Sequence, residues 1–462
     1  MKLISIEISN YRSIKSISIP IEKLTDGTST YGLIGVNEVG KSSILKALAL
    51  KDGLIPLSQK DFRDTKIPVL IILTYEMSDL TEKEKLLGWI VDKGPMRPTS
   101  ISETLIIEHS FDYESRTNST AYLAKIFDGS SSCLPVTVLP PGPLHTAIFW
   151  TAEEKYLISH PISLETFAAN PSEVSVPLKN CFLLAGIKNI EESIHQLADD
   201  SAEVEHLQTL LGDRVTDHIN AVWPHHPIKI TFLINNGFIN FHIKDTDIFG
   251  KAKTAEQRSD GFKQFVSFLL TVSAQNKNEQ LSNSLLLLDE PETHLHPQAQ
   301  EYLLAEVKKI SKNERNNVVV FATHSNFMID KEDLSRNFRI TKEANCTKIE
   351  RLSKVISSYN SVNFDVFDIA SSDYHTELYA KLHLKYQMED ENDQKRSNIQ
   401  PFDESFFCKI HLQKKNKPSR GIANQVTLST YIRNCINHPD NGNKFSTDEL
   451  LKSINLMRRF LA

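Results

Sequence analysis

The segment Gly35-Val36-Asn37-Glu38-Val39-Gly40-Lys41-Ser42 sets two glycines, a lysine and a hydroxyl residue at the spacing G-x4-G-K-S. Glycines there let backbone N–H groups approach phosphate oxygens, and a helix starting after the loop aims its positive end at them. The lysine can reach the outer phosphates and the hydroxyl can coordinate magnesium. The pattern therefore predicts a nucleoside triphosphate held by Gly35, Asn37, Gly40, Lys41, Ser42 and Ser43. Further along, four leucines, Leu285 to Leu288, run into Asp289-Glu290. An apolar strand of that kind would carry Asp289 to the magnesium and leave Glu290 beside it to orient or deprotonate a water. A third apolar run, Val318 to Ala322, leads into Thr323-His324-Ser325, which places His324 to sense the terminal phosphate. Strand-end acids and lone histidines are ordinarily structural; here their pairing with the glycine loop makes them candidates for chemistry.

These groups must be held by strands and helices, and the patterning supplies both. Ile4, Ile6 and Ile8 alternate with polar residues, as do Ile17, Ile19 and Ile21, which predicts two half-buried strands joined near Asn10-Tyr11-Arg12-Ser13. Residues 31–34 read as a strand entering the glycine loop, and residues 42–50 as the helix leaving it. Strand-type sequence returns at 68–75, 104–109 and 146–150, and 228–243 reads as a hairpin around Asn235-Asn236-Gly237. Phe262, Phe265, Val266 and Leu269 fall on one helical face, and Pro297 suits the first turn of a helix. Alternating strand and helix implies an α/β class. Four regions result: 1–150 with the glycine loop, an inserted mainly helical arm over 151–224, a second lobe over 225–355, and a mostly helical region over 356–462. Residues 388–418 are charged and poor in apolar side chains, and predict a surface excursion or a flexible connection.

The chain has 462 residues, long enough for at least two cores. Its formal charge of -6 argues against a wholesale nucleic-acid binder, so any such contact needs a local patch. Lys414, Lys415, Lys417 and Arg420 form the clearest one, although such runs are commonly just solvated. Five dispersed cysteines without a C-x-x-C pair suit free thiols in a reducing compartment. No apolar run reaches membrane-spanning length and no signal peptide opens the chain, so a cytoplasmic protein with no membrane partner is expected.

The segment Asp289-Glu290-Pro291-Glu292-Thr293-His294-Leu295-His296-Pro297 resembles the Walker B and D-loop stretch of ABC/SMC-class ATPases related to the OLD (overcoming lysogenization defect) nucleases. Arg258-Ser259-Asp260-Gly261-Phe262-Lys263 resembles the same group's degenerate signature motif, and His324 its switch histidine. The resemblance implies an ABC-type head using ATP and Mg2+, with Ser42 and Asp289 on the metal. It further implies a head-to-tail dimer or higher oligomer in which Ser259 and Gly261 act in trans. The signature departs from Leu-Ser-Gly-Gly-Gln, which bears on how tightly such a dimer closes. By the same resemblance Gln59 is the candidate Q-loop glutamine, with an ordinary surface residue as the alternative. Arg12 is either a nucleotide contact or a solvated turn arginine.

An arm of about 70 residues is too short for the coiled coils of DNA-repair relatives. The last hundred residues hold no Asp-x-Asp, which argues against an OLD-type Toprim nuclease. In size and layout the sequence is most similar to the PtuA-type ATPases of Septu antiphage defence, which act with an HNH nuclease. That resemblance implies a sensor and scaffold regulating a separate effector nuclease. The alternative lies in Arg433-Asn434-Cys435-Ile436-Asn437-His438, which fits the R-x4-6-H motif of HEPN domains. Pro439 should end the helix near Asn437 and let His438 fold toward Arg433 for RNA cleavage. A plain helix end and turn is the competing reading. DNA repair is a third, and the target, DNA or RNA, stays open.

Overall fold

The computed structural model describes residues 1–22, 24–77, 100–127, 131–136, 144–158, 160–198, 201–222, 227–245, 253–254, 263, 266–270, 282–312, 316–352, 358–388, 398–407, 414–416 and 425–461. The chain divides into two units, Met1–Val355 and Ile356–Ala462.

The first unit is built on two six-stranded sheets. One is antiparallel: β1 (Lys2–Tyr11), β2 (Ile14–Pro20), β4 (Val69–Glu76), β5 (Ser100–Phe111), β6 (Asn118–Phe127) and β7 (Ser131–Val136), in the order β2-β1-β4-β5-β6-β7. The other contains β3 (Thr30–Ile34), β8 (Thr146–Trp150), β13 (Ser284–Asp289), β14 (Val318–Thr323), β15 (Asn337–Glu343) and β16 (Cys346–Arg351). Its order is β16-β15-β3-β14-β13-β8, with every pair parallel except the β15–β16 hairpin. A smaller sheet holds the hairpin β10 (Ile228–Asn235) and β11 (Phe238–Asp245), flanked by β9 (Ile162–Ser163) and β12 (Lys253–Thr254). The α/β class expected from the sequence is what these strands and helices build.

The second sheet is buried on both faces, and its continuous leucine and valine runs follow from that. Leu285, Leu287, Val318, Val320 and Ala322 point into a core shared with the antiparallel sheet and with α1 (Lys41–Leu50). Leu286, Leu288, Val319 and Phe321 point the other way, onto Trp150, the 151–222 segment and the β10–β11 hairpin. That segment is mainly helical, ending in a long helix, Ser201–Val222, whose Leu211, Val215 and Ile219 are fully buried.

The second unit packs the helices Tyr359–Phe367, Ser372–Met388, Leu428–Asn437 and Thr447–Leu461 around Leu382, Phe402, Phe407, Ile432, Ile454 and Met457. A reciprocal cap opens the last helix: Glu449 N donates to Ser446 Oγ at 3.3 Å, and Ser446 N to the Glu449 carboxylate at 2.9 Å. One expectation changes here. Within the supposed excursion 388–418, Phe402 and Phe407 are fully buried core residues, because a few aromatics anchor a segment that is polar on average. Leu451 is 39% exposed, since it lies one position off the Leu450, Ile454, Met457 stripe.

Candidate nucleotide site

Parallel strands share a direction, so the carboxyl ends of β3, β14 and β13 lie side by side. Thr323 pairs with Ile34, and Asp289 with Ala322, which brings the glycine loop, Asp289 and the Thr323-His324 turn to one edge. Crevices at this edge are where open α/β sheets bind ligands.

Gly40 caps α1 with a left-handed φ of 109°, a conformation that side chains resist. A Cβ at Gly35 would come within 2.5 Å of the Ile340 carbonyl oxygen, so the loop is pressed against β15. Lys41 is buried, and its Nζ donates to the carbonyls of Gly35 and Val36, each at 2.8 Å. Burial pulls its pKa down, against the opposing pull of Glu290, Asp289 and Glu292. An incoming phosphate would compete for the same ammonium donors. Ser42 Oγ donates to Asp289 Oδ1 at 2.8 Å, joining residues 247 apart in sequence. Asp289 is buried and its carboxyl is pushed upward, which a bound cation would reverse. A hydroxyl and a carboxylate are hard oxygen donors, the pair that could hold Mg2+ together with phosphates and water.

Glu290 follows at a left-handed φ of 49°, held by its N–H to the Ala322 carbonyl at 3.0 Å. Its Oε1 lies 3.3 Å from His324 Nδ1, and both side chains remain partly open to solvent. Glu290 borders an open cleft of about 890 Å³ whose lining also includes Asn37, Gly40, Lys41, Ser42 and Ser43, whereas Gly35, Asp289 and His324 are not among the lining residues. That volume suits a ligand of nucleotide size.

The cleft also takes in groups that sequence reasoning missed: Lys60, Arg63, Lys342 and Asn345. Arg63 Nη1 donates to the Asn345 carbonyl at 2.9 Å, tying the loop before β4 to the tip of the β15–β16 hairpin. No local motif marks these residues, because the two stretches that carry them lie some 280 positions apart and meet only in the fold. Arg12 lines the cleft as well, its guanidinium fixed by Asp61 at 2.8 Å. Gln59 is exposed at the start of a short 3-10 turn and is not among the lining residues, so the cleft wall there is Lys60 and Arg63. Ser259 and Gly261, with Phe262 and Phe265, lie outside the described residues, as do Lys417 and Arg420.

In the second unit the helix ends at Asn437, with His438 as its exposed C-cap. Arg433 donates to Asn434 Oδ1 at 3.0 Å. With the Asn437 amide turned to satisfy both groups, Asn437 Oδ1 accepts from the same guanidinium at 3.0 and 3.2 Å. Arg433 is thus engaged by its own helix end.

Loop, paired acids and parallel sheet define an ATPase domain. The chain belongs to the AAA_15 family, AAA ATPase domain, whose model matches residues 1–126 and 154–329. It is similar to the Old nuclease of Escherichia phage P2, 23% identical over 410 residues covering 81% of this chain and 66% of that protein. It is also similar to an uncharacterized protein of Methanocaldococcus jannaschii (MJECL43), 30% identical over 130 residues, 27% of this chain and 33% of that one. The chain therefore spans less than two thirds of either relative's length. Among solved structures, the Smc head bound to the C-winged helix domain of ScpA superposes with a TM-score of 0.44 at 13% identity, over 76% of this chain and 98% of that one. The SMC head domain from Thermotoga maritima gives 0.37 at 12%, over 76% and 100%. Among the described residues no helix is long and apolar enough to cross a membrane.

Proposed function

We propose that this chain binds Mg2+·ATP on the Gly35–Ser42 loop, hydrolyses it, and uses the ATP cycle to gate an effector nuclease. The observation that supports this most is the bond from Ser42 to Asp289, with the Glu290–His324 contact beside it on the same sheet edge. Ser42 and Asp289 would hold the metal, which supplies charge neutralisation for the phosphates. Lys41 would bind the outer phosphates, Glu290 would take the proton of the attacking water, and His324 would orient that water or sense the terminal phosphate. A positioned general base of this kind contributes about 10²- to 10⁴-fold.

Two copies would pair head to tail, the nucleotide of one closed over by Ser259 and Gly261 of the partner subunit. The gated effector, in this reading, is a separate nuclease such as an HNH protein working in antiphage defence. The similarity to a protein named as a nuclease, and a helical unit distinct from the ATPase unit, support it. The test is co-purification with native partners, followed by assays on plasmid DNA and total tRNA with and without ATP. The account expects an associated nuclease whose activity responds to ATP. Cleavage of tRNA by the purified chain alone, abolished by Arg433→Ala or His438→Ala, would replace the scaffold with a built-in RNase.

A further inference from the structure

The turn after Glu290 carries a second carboxylate with no role in the scheme above. Glu292 is 1% exposed, and its Oε1 accepts a short hydrogen bond from Thr323 Oγ1, itself fully buried. Thr323 Oγ1 in turn accepts from Ser325 N at 2.9 Å. Ser325 Oγ donates a short bond to Gln300 Oε1 and accepts from Phe327 N at 3.1 Å. Gln300 Nε2 donates to the Leu295 carbonyl at 2.8 Å, which closes the circuit back onto the turn that begins at Glu290. His324 therefore stands between two residues that are each tied to the Glu290–Leu295 turn or to the helix Pro297–Ile310 after it.

We propose that Glu292, Thr323, Ser325 and Gln300 form a clasp that holds His324 against Glu290, making Glu292 and Thr323 positioning residues for ATP hydrolysis. The inference rests on the hydrolytic reading of the site. Three features carry it. The clasp fixes the backbone on both sides of His324, whereas the His324 side chain itself meets the Glu290 carboxylate at 3.3 Å and is 45% exposed. Glu290 and His294 both take left-handed backbone, with φ of 49° and 63°, so the turn needs external restraint to keep its shape. Glu292 Oε2 is buried with no hydrogen-bond partner among the described residues, a cost that an apolar side chain would avoid and that a geometric task explains. Burial raises this carboxyl to about 7, so near neutrality it can sit in the clasp uncharged.

The test is steady-state ATP turnover by the full chain carrying Thr323→Val, which keeps volume and removes the hydroxyl. The expected result is a fall in kcat of about tenfold or more with KM for ATP within about twofold, as for a group acting only at the transition state. Thr323→Ser, which restores the hydroxyl, should recover most of the loss, and Glu292→Leu should track Thr323→Val. Because the clasp acts through His324, Thr323→Val should cost little further in a His324→Ala background. Unchanged kcat in folded Thr323→Val and Glu292→Leu, or independent effects in the double variant, would overturn the clasp alone. Wild-type protein that binds ATP but releases no phosphate would overturn the hydrolytic reading, and the clasp with it.

Discussion

Lys41, Ser42, Asp289 and Glu290 come from two short segments, and Ser42 meets Asp289 across 247 positions. A glycine loop cannot be assembled from scattered residues, since successive backbone N–H groups have to face one phosphate. Lys60, Arg63, Lys342 and Asn345 reach the same cleft from two places, the stretch before β4 and the β15–β16 hairpin. Lys41→Ala removes the ammonium proposed to meet the phosphates and should weaken ATP binding at least tenfold in an equilibrium assay with a fluorescent ATP analogue. Asp289→Asn leaves one neutral acceptor opposite Ser42. The Mg2+ concentration for half-maximal turnover should then rise several-fold, while an unchanged Mg2+ requirement would remove Asp289 from the metal site.

At the scale of elements, the Ser284–Asp289 and Val318–Thr323 strands were legible because burial on both faces demands unbroken apolar runs. The order β3-β14-β13 was not, since it depends on non-local pairing that no short pattern encodes. Leu287 is fully buried in the middle of this sheet, and Leu287→Ala should cost about 2–5 kcal/mol in denaturant unfolding. Glu292 predicts a pH effect of definite sign. Its folded pKa is raised from 4.5 to about 7, so its contribution to stability is full below about 4.5 and is lost as pH rises through 7. Glu292→Gln cannot ionise. The stability of that variant relative to wild type should therefore increase between about pH 5 and pH 8, and a flat difference would mean that Glu292 does not titrate in the fold.

For the whole molecule, the chain divides into the units Met1–Val355 and Ile356–Ala462. The helical unit hid its core better, because Phe402 and Phe407 sit in a stretch that is polar on average. Dimer closure belongs at this scale: Glu290→Gln with Mg2+·ATP should shift the protein to a larger species in sedimentation velocity, and a monomer at all nucleotide conditions would count against in-trans completion. The most direct measurement of the central claim is phosphate release by wild type and Glu290→Gln, with ATP binding measured on the same preparations. The account predicts undiminished binding and turnover at least ~100-fold slower in the variant. Equal turnover in the two proteins would contradict it, because Glu290 would then not be the group that activates water beside the Gly35–Ser42 loop.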